Sequence, residues 1–448
     1  MLLVRYCGVA KVSQDVRSLA NLEQGLLSAQ VFVDPAVYEL ELERIFSRTW
    51  LYVAHDSEVP NPGDFVTRSM GEDSVIVVRG SDGLVRVLLN TCRHRGRRLC
   101  ELDAGTQQHF RCPYHGWTYN NRGELTGVPY FDSYAGRLDK TERGLFGAAG
   151  VDTYKGLIFA TWNASALPLS EYLGEMKWVL DLMFGRTDAV EVVGPPLRWT
   201  LDANWKLPAA NFAGDGGHLA TTHGFRDALM GRHVGPFERG ARLSFSKTTA
   251  NGHTASLTGL RDTPKPYLAL PEELLPQLRS NLSRDQLEIL KPLEILVGNV
   301  FPNLSFLNTA GHTPPEWGGP DGQSVSFLTI RQWQPLGPER IEVWSWLLVD
   351  KAASAQWQEY SRECYLRVFG PGGVFEQDDL ANWRAVTQSL HGRMSRKLSL
   401  YYDMGLDVSP TEDWPGPGSA YAKLRGPVDV NERAFYARWL ELMTQDQT

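Results

Sequence analysis

Two short segments of this chain each place a cysteine close to a histidine. Cys92 and His94 form the first pair, and Cys112 and His115 form the second. Brought face to face, the two loops offer two thiolates and two imidazoles to one metal centre. Zinc accepts mixed Cys and His ligands in structural sites. A 2Fe–2S cluster also accepts them, when two His replace two Cys on one iron.

The order of these ligands along the chain favours the cluster. Zinc fingers usually group both cysteines before both histidines, whereas here the order alternates, so that each loop can give one ligand to each iron. The surrounding residues read TCRHRGRR and RCPYHGWTY. We therefore predict a Rieske-type 2Fe–2S cluster held by Cys92, His94, Cys112 and His115, and hence a redox protein.

The two segments resemble the cluster-binding loops of the Rieske non-haem iron ring-hydroxylating oxygenases, specifically of their large α subunits. The similarity includes Gly96 and Gly116, which follow the histidines, and Trp117. Glycine permits tight turns in which backbone N–H groups approach the cluster sulfurs. Beside the first loop runs a basic stretch, which is typical of a solvated loop or of a docking surface for an acidic electron donor. It comprises Arg93, Arg95, Arg97 and Arg98.

A second group of candidate ligands lies in the segment NWKLPAANFAGDGGHLATTH. Here Asn211, Asp215, His218 and His223 stand close together among glycines, which indicates a metal site more strongly than an isolated histidine does. The two histidines are five positions apart, which on a regular helix directs them about 140° away from each other. Convergence on one ion would therefore require a kinked helix or a π-bulge.

The resemblance supplies a ligand set for this segment. In the family, the pattern NF-x-GD-x-x-H-x4-H provides two histidine ligands of a mononuclear ferrous iron, here His218 and His223. A later carboxylate completes a two-His, one-carboxylate triad, typical of non-haem iron oxygenases. The resemblance selects Asp379 within FGPGGVFEQDDLANW. Adjacent helical residues point about 100° apart, so we expect Asp378 to be solvated or beside a ligand.

The resemblance also gives Asp215 a role, as the carboxylate that bridges the two metal sites across a subunit interface. It would accept hydrogen bonds from the partner subunit's His115 and from His218. From its residue type alone, Asp215 is also typical of a helix N-cap. Asn211 is expected near the iron without being a strong ligand. The family commonly has an aromatic residue before the first histidine ligand, where this chain has Gly217.

Composition sets the outer bounds. A length of 448 residues suggests two or three domains, and a net charge of −7 gives no sign of nucleic-acid binding. Five cysteines do not make a disulfide framework, so Cys7, Cys100 and Cys364 are expected to be free thiols. The apolar run in MLLVRYCGVAK is too short for a secretory leader, and no uninterrupted apolar stretch approaches transmembrane length, so we expect neither kind of segment. We therefore expect a soluble cytoplasmic protein.

Periodicity divides the chain into three parts. We predict a helical segment over residues 1–45 that packs with the catalytic domain, a β-rich region over 46–164 and a mixed region over 165–448. Ser170 is a candidate helix cap, and the proline-punctuated stretch 263–290 is expected to be a lid or surface excursion. The resemblance implies an α+β protein with a small all-β Rieske domain. Its catalytic domain would have an antiparallel sheet wrapped around a long helix.

The function implied is that of a terminal oxygenase α subunit that cis-dihydroxylates an aromatic ring with O₂. Its electrons would come from NAD(P)H through a reductase and a ferredoxin, and a small β subunit would complete an α3β3 hexamer. The expected substrate is a polycyclic or biphenyl-type hydrocarbon. Four residues are candidates for the pocket wall, although each is equally typical of core packing: Phe212, Leu219, Phe369 and Phe375.

Three alternatives stay open from sequence. The substrate could be an aromatic acid such as a phthalate or salicylate, if Arg226 or Arg232 faced the cavity and paired with its carboxylate. A zinc-stabilised binding protein would explain the first motif but not the second. A pure electron-transfer protein would need only the first domain and would leave the rest of the chain unexplained.

Overall fold

The structure is a computed structural model that describes residues 15–219, 221–223, 242–260, 263, 266–314, 316, 322, 324–423 and 426–445. Cys7, Arg226 and Arg232, to which the sequence drew attention, lie outside these residues. The four cysteines that are described are all buried and free of disulfides. Among the described helices, none combines the length and apolarity that crossing a membrane requires.

The N-terminal segment is helical in its second half. Helices Gln30–Val33 and Pro35–Glu41 continue into a π-helical turn at Leu42–Phe46. Before them, Ala20–Asn21 and Leu26–Ser28 form a short hairpin that pairs with Ser399–Tyr401 near the other end of the chain. Within the described part of the predicted helical segment, Val16–Leu19 forms a 3-10 turn and the chain is helical from Gln30 onwards, with the hairpin between them.

Short strands dominate the next hundred residues and form three small antiparallel sheets. Their bounds are Leu51–His55, Asp64–Met70, Asp73–Arg79, Val85–Leu89, Ala104–Thr106, His109–Arg111, Thr118–Asn120, Leu125–Gly127, Gly150–Tyr154 and Leu157–Thr161. All ten strands lie within the region 46–164 that was predicted to be β-rich. A hydrophobic cluster around Phe65, Phe110 and Tyr119 gives this region a core of its own.

The rest of the chain is built on one antiparallel sheet, nine-stranded in the described residues. In spatial order its strands are Val190–Val192, Arg340–Asp350, Ser324–Gly337, Leu304–His312, Leu293–Val300, Thr254–Leu260, Arg242–Thr248 and Ala420–Ala422, while Leu197–Leu201 also pairs with Arg340–Asp350. Side chains alternate between its two faces. Phe306 therefore joins one hydrophobic cluster and Leu307 the other, and the sheet separates two cores.

Helices cover both faces of this sheet. They are Leu169–Leu173, Met176–Phe184, Lys206–Gly214, Leu275–Asn281, Arg284–Leu290, Ala355–Phe369, Val374–Leu390 and Val430–Thr444. Two predictions about them were wrong. Ser170 lies inside its helix, whose N-cap is Pro168. The described part of the stretch 263–290 is no surface excursion, because Leu274, Leu278 and Leu290 are fully buried in the second core.

A buried carboxylate ties three distant elements together. Glu41, at the end of an N-terminal helix, accepts hydrogen bonds from Lys206 Nζ at 2.6 Å, Trp205 Nε1 at 2.7 Å and Trp439 Nε1 at 2.7 Å. The Lys206 and Glu41 side chains are both completely buried. The helix that begins at Lys206 and the C-terminal helix are thereby fixed to the N-terminal segment.

Substituting Glu41 tests this junction. Glu41→Ala would leave the Lys206 ammonium buried without a counter-charge, and we expect a loss of about 3–5 kcal/mol in the free energy of unfolding. Urea unfolding followed by circular dichroism measures it. Glu39→Ala, at an exposed position of the same helix, is the matched control and should leave the unfolding curve unchanged. Equal curves for the two variants would contradict the role given to Glu41.

Candidate metal centres

The two Cys–His loops of the small β region repeat one backbone geometry. Backbone pairing of Thr91 with Arg98 closes the first loop, and pairing of Arg111 with Thr118 closes the second. In each loop the cysteine comes directly after the first residue of the pair. The two cysteines are therefore presented by equivalent hairpin tips.

Glycine makes these tips possible. Gly96 and Gly116 adopt φ values of 72° and 73°, a region that other residues rarely enter. Each donates its N–H to the carbonyl oxygen of its loop's cysteine, Cys92 or Cys112, at 3.0 Å. At Gly116 an added Cβ would also lie 2.9 Å from Pro129 Cγ. The tight turn thus brings each cysteine and its histidine to one side of the loop.

The four predicted cluster ligands come together between the loops. Cys92 and Cys112 are each only 2% exposed, and the rings of His94 and His115 lie 4.5 Å apart. Trp117 stacks on His94 at 4.9 Å, with the two rings 8° from parallel. Buried sulfurs on one side and half-buried imidazoles on the other suit a cluster that must exchange electrons with an outside donor.

The surroundings of these groups fit a metal cluster. His94 Nδ1 is buried and has no hydrogen-bond partner among the described residues. Burial lowers the pKa of His94, and the nearby His115 and Arg95 lower it further, which favours the neutral imidazole that ligates metals. Backbone N–H groups of Tyr114 and His115 are directed at the Cys112 sulfur. Such N–H groups are the donors that tune cluster potentials.

The second candidate site begins where the helix Lys206–Gly214 ends. Gly214 has φ of 135°, and an added Cβ would lie 2.3 Å from Asn431 Nδ2. Asp215 follows as the C-cap residue, and its Oδ1 accepts the Gly217 N–H at 2.8 Å. His218 and His223 lie in the turns beyond the helix. In the described residues no kinked helix or π-bulge carries the two histidines, and Asp215 Oδ1 instead caps the turn that follows by accepting the N–H groups of Gly217 and His218.

The structure brings His218, His223 and Asp379 to one point. One ligand atom from each lies within 4.8 Å of the others. Asp379 Oδ1 is 3.3 Å from His223 Nε2 and 3.7 Å from His218 Nε2. The helix Val374–Leu390 supplies Asp379, whose side chain is 5% exposed. Two nitrogens and one carboxylate are the donor set of a facial triad.

A further carboxylate orients each imidazole. Asp215 Oδ2 lies 3.3 Å from His218 Nδ1, and Asp378 Oδ2 lies 3.4 Å from His223 Nδ1. With each Nδ1–H directed at a carboxylate, each Nε2 is left for a metal. Asp378 therefore lies beside a ligand, the second of the two positions the sequence allowed. Asn211 Nδ2 is 3.4 Å from His218 Nδ1, close to the triad.

The charges around the triad favour a bound cation. Burial lowers the pKa of His218, but its hydrogen bond with Asp215 and the charges of Asp215 and Asp379 outweigh burial and raise the pKa above its ordinary value. Burial likewise raises the pKa of Asp215, but bonds from His218 and Gly217 and the His218 charge bring it below the ordinary value. A divalent metal would take the place of the proton that these carboxylates attract.

Three of the four predicted pocket residues form an aromatic cluster against this site. Phe375 lies 4.5 Å from the His223 ring, Phe369 lies 5.8 Å from Phe375, and Phe212 lies 6.5 Å from Phe369. Leu219 is not brought into this cluster, because its position in the turn leaves it 36% exposed. The apolar wall therefore consists of phenylalanines from two helices and the last residue of a third.

A cavity of about 280 Å³ reaches the triad from the side of Asp215. Its described lining contains none of the three phenylalanines. It includes Asn211, Asp215, His218, Asp379, Trp383, Tyr402, Glu432 and Tyr436. The cavity that reaches the site and the aromatic wall are therefore separate surfaces.

Sequence reasoning missed two charged residues at the site. Arg331 and Glu376 form an ion pair with both side chains fully buried. Glu376 precedes Asp379 by three residues, a spacing that places both on one face of a helix, and Arg331 is the one charged residue in the apolar strand sequence SVSFLTIRQWQP. These two signals were present in the sequence, but only the fold shows that they meet.

Both halves of the chain match known protein families. Residues 49–154 match the Rieske [2Fe-2S] domain, and residues 170–444 match the catalytic domain of the ring hydroxylating alpha subunit. The chain is 37% identical to the biphenyl dioxygenase subunit alpha of Paraburkholderia xenovorans, over 96% of this chain and 93% of that protein. It is 35% identical to the N,N-dimethyl phenylurea N-demethylase subunit alpha of Sphingobium, over 95% and 93%.

A solved structure agrees with the fold as well. Naphthalene 1,2-dioxygenase from Rhodococcus, crystallised with indole, superposes with a TM-score of 0.89 at 38% identity, over 96% of this chain and 99% of that one. The α+β architecture predicted from sequence is confirmed, as are the two cofactors, a Rieske 2Fe–2S cluster and a mononuclear iron. The chain belongs to the α subunits of the Rieske ring-hydroxylating dioxygenases, a family of oxidoreductases.

Proposed function

We propose that this chain is the terminal oxygenase that adds both atoms of O₂ to an aromatic hydrocarbon of the biphenyl or polycyclic type, giving a cis-dihydrodiol. The reaction consumes one O₂, two electrons and two protons for each arene. The observation that supports it best is the convergence of His218, His223 and Asp379 beside an aromatic wall. The relatives named for biphenyl and naphthalene support the same substrate class.

In this proposal the ligands divide between two domains, residues 46–164 and 165–448. Four side chains hold the cluster and three hold the iron; they are Cys92, His94, Cys112 and His115, then His218, His223 and Asp379. When bound, the cluster supplies single electrons and the iron supplies the activation of oxygen. Asp215 and Asp378 keep the two imidazoles in the tautomer and orientation that present Nε2.

Asp215 has a second role in the proposal, as the bridge between the metal sites of neighbouring subunits. No hydrogen bond or ion pair joins it to His115 within the described part of one chain. Its side chain is nevertheless 33% exposed while Oδ2 lies against His218 Nδ1. The carboxylate can therefore accept a hydrogen bond from the partner subunit's His115.

The aromatic wall favours a hydrocarbon over an acid. Phe212 and Phe369 are almost fully buried, and an arene placed against them gains burial and edge-to-face contacts. An aromatic acid would need a cation at the site. Arg226 and Arg232, considered for that role, lie outside the described residues, and the only described arginine against the wall, Arg331, is already paired with Glu376.

The partners follow from the family. Relatives named as alpha subunits belong to multi-component enzymes, and we propose a small β subunit in an α3β3 hexamer. A ferredoxin, reduced by its reductase at the expense of NAD(P)H, would reach the cluster by charge complementarity. Arg95 and Arg98 are exposed beside the first loop and suit an acidic donor. We propose a cytoplasmic location, where NAD(P)H is available to the reductase.

The first experiment measures metals and products together. Anaerobic purification with the small subunit should give about three irons and two sulfides per chain and a Rieske paramagnetic resonance signal. With ferredoxin, reductase and ¹⁸O-labelled O₂, biphenyl or naphthalene should yield a cis-dihydrodiol that carries two atoms of ¹⁸O. Phthalate and an N,N-dimethyl phenylurea test the acid and N-demethylation alternatives. The proposal would be contradicted by a protein that contains zinc and no sulfide. It would also be contradicted if phthalate or the phenylurea were turned over and biphenyl and naphthalene were not.

Substituting one iron ligand tests the mononuclear site independently of the cluster. His223→Ala should retain the cluster spectrum and lose all dihydrodiol formation, because the mononuclear iron loses one of its three protein ligands. Iron content per cluster and product yield are the measurements. His391→Ala removes an exposed histidine paired with Glu339 and is the control that should keep both. Retained turnover in His223→Ala would exclude it from the ligand set.

The bridge is tested by comparing two neutralised carboxylates. Asp215→Asn, once loaded with iron, should slow the oxidation of the reduced cluster in a single turnover by at least ~10-fold, since the link between the sites is lost. Asp378→Asn is the matched variant beside the other imidazole. It should weaken iron retention by ~10–100-fold without slowing transfer in iron-loaded protein. Wild-type single-turnover kinetics in Asp215→Asn would refute the bridge.

A further inference from the structure

A buried ion pair lies directly behind the aromatic wall. Arg331 projects from the strand Ser324–Gly337 and Glu376 from the first turn of the helix Val374–Leu390, with Nη1 and Oε2 2.6 Å apart. Both side chains have no exposure to solvent. Such a pair seldom adds stability over apolar residues of the same size, because desolvation offsets the attraction. Its presence in this core calls for a geometric explanation.

The guanidinium of Arg331 joins two helices at one point. Nη2 donates to the carbonyl oxygen of Phe369 at 2.8 Å, while Nη1 holds Glu376. Phe369 is the last residue of the helix Ala355–Phe369, and Glu376 lies in the first turn of the next helix. The planar fork of an arginine fixes two acceptors in one plane. It therefore sets where the second helix starts relative to the end of the first.

The same group supports the aromatic wall from behind. The Arg331 guanidinium carbon lies 5.7 Å from the Phe212 ring, 5.5 Å from the Phe369 ring and 5.4 Å from the Trp199 ring. At these distances a cation attracts the ring faces. One side chain thus contacts two of the three phenylalanines of the wall and the helix that carries the iron ligand.

We propose that the Arg331–Glu376 pair is a positioning unit that sets Asp379 against the two histidines and orients Phe212 and Phe369. Glu376 and Asp379 are three residues apart and share one face of their helix, so that fixing Glu376 fixes the direction of Asp379. The inference rests on the proposed function only in taking Asp379 as an iron ligand.

The test removes both charges at once. The double variant Arg331→Met with Glu376→Leu keeps side-chain volume and leaves no buried charge unpaired, so it should fold. We expect its mononuclear iron to be lost to a ferrous chelator ~10-fold faster than in the wild-type holoenzyme, with an unchanged cluster absorbance. The ratio of dihydrodiol regioisomers from biphenyl should also change.

A second buried pair provides the matched control. Arg186 and Asp350 are 2% and 5% exposed and lie 2.7 Å apart, Nη2 to Oδ2. Arg186→Met with Asp350→Leu removes a comparable pair whose hydrogen-bond partners include no triad or wall residue. It should release iron and distribute products as the wild type does. Equal iron release from the two double variants would overturn the proposal, as would wild-type behaviour of the first.

Arg331→Lys keeps the test decisive should the double variant fail to fold. A lysine retains the charge opposite Glu376 but lacks the fork that also binds the Phe369 carbonyl. Iron release should be several-fold faster than in the wild type, and an unchanged rate would overturn the proposal. Iron release is measured without substrate, so it tests the positioning unit independently of the proposed function. If the variants release iron faster but the wild-type enzyme oxidises no arene, the proposed function is refuted and the positioning unit is retained.

Discussion

The contact between Asp379 Oδ1 and the two imidazoles, at 3.3 and 3.7 Å, is the geometry that the catalytic region must maintain. The histidines lie just after one helix and the aspartate within another, more than 150 residues later in the chain. Nothing in the local sequence brings these three side chains together. They meet because both helices pack on the same face of one antiparallel sheet, in the core that includes Phe212, Phe369 and Trp383.

Buried charges secure the two helices in different ways. The Glu41 carboxylate accepts three hydrogen bonds, and its partner Lys206 begins the helix that leads to the histidines. At the other helix, Glu376 Oε1 and Arg331 Nε have no partner among the described residues. A fully satisfied carboxylate is what a stabilising junction needs, whereas an incompletely satisfied pair costs free energy. That cost is consistent with an ion pair retained for position rather than for stability.

The grouping of the candidate ligands could be predicted from sequence, but the local backbone that carries them could not. Cys92, His94, Cys112 and His115 lie in short loops whose spacing alone brings each pair together. His218 and His223 were expected on a distorted helix, yet the helix ends at Gly214. The backbone turns there beside Asn431, a residue from the C-terminal helix, and no pattern within the histidine segment reports that contact.

Asp215 illustrates how one side chain can serve a site that a single chain leaves incomplete. Its Oδ1 is engaged by the Gly217 N–H and its Oδ2 by His218 Nδ1, yet a third of the side chain stays exposed. A carboxylate has about four lone-pair positions, so these contacts leave room for a further donor. Gly217 adds no side chain in front of it, and among the described residues the atoms nearest to where its Cβ would be are Asp215 Oδ1 at 3.2 Å, Met404 Cε at 3.6 Å and Pro427 Cβ at 3.9 Å. The glycine that departs from the usual aromatic residue thus places no side chain over this carboxylate, which stays open to a further donor.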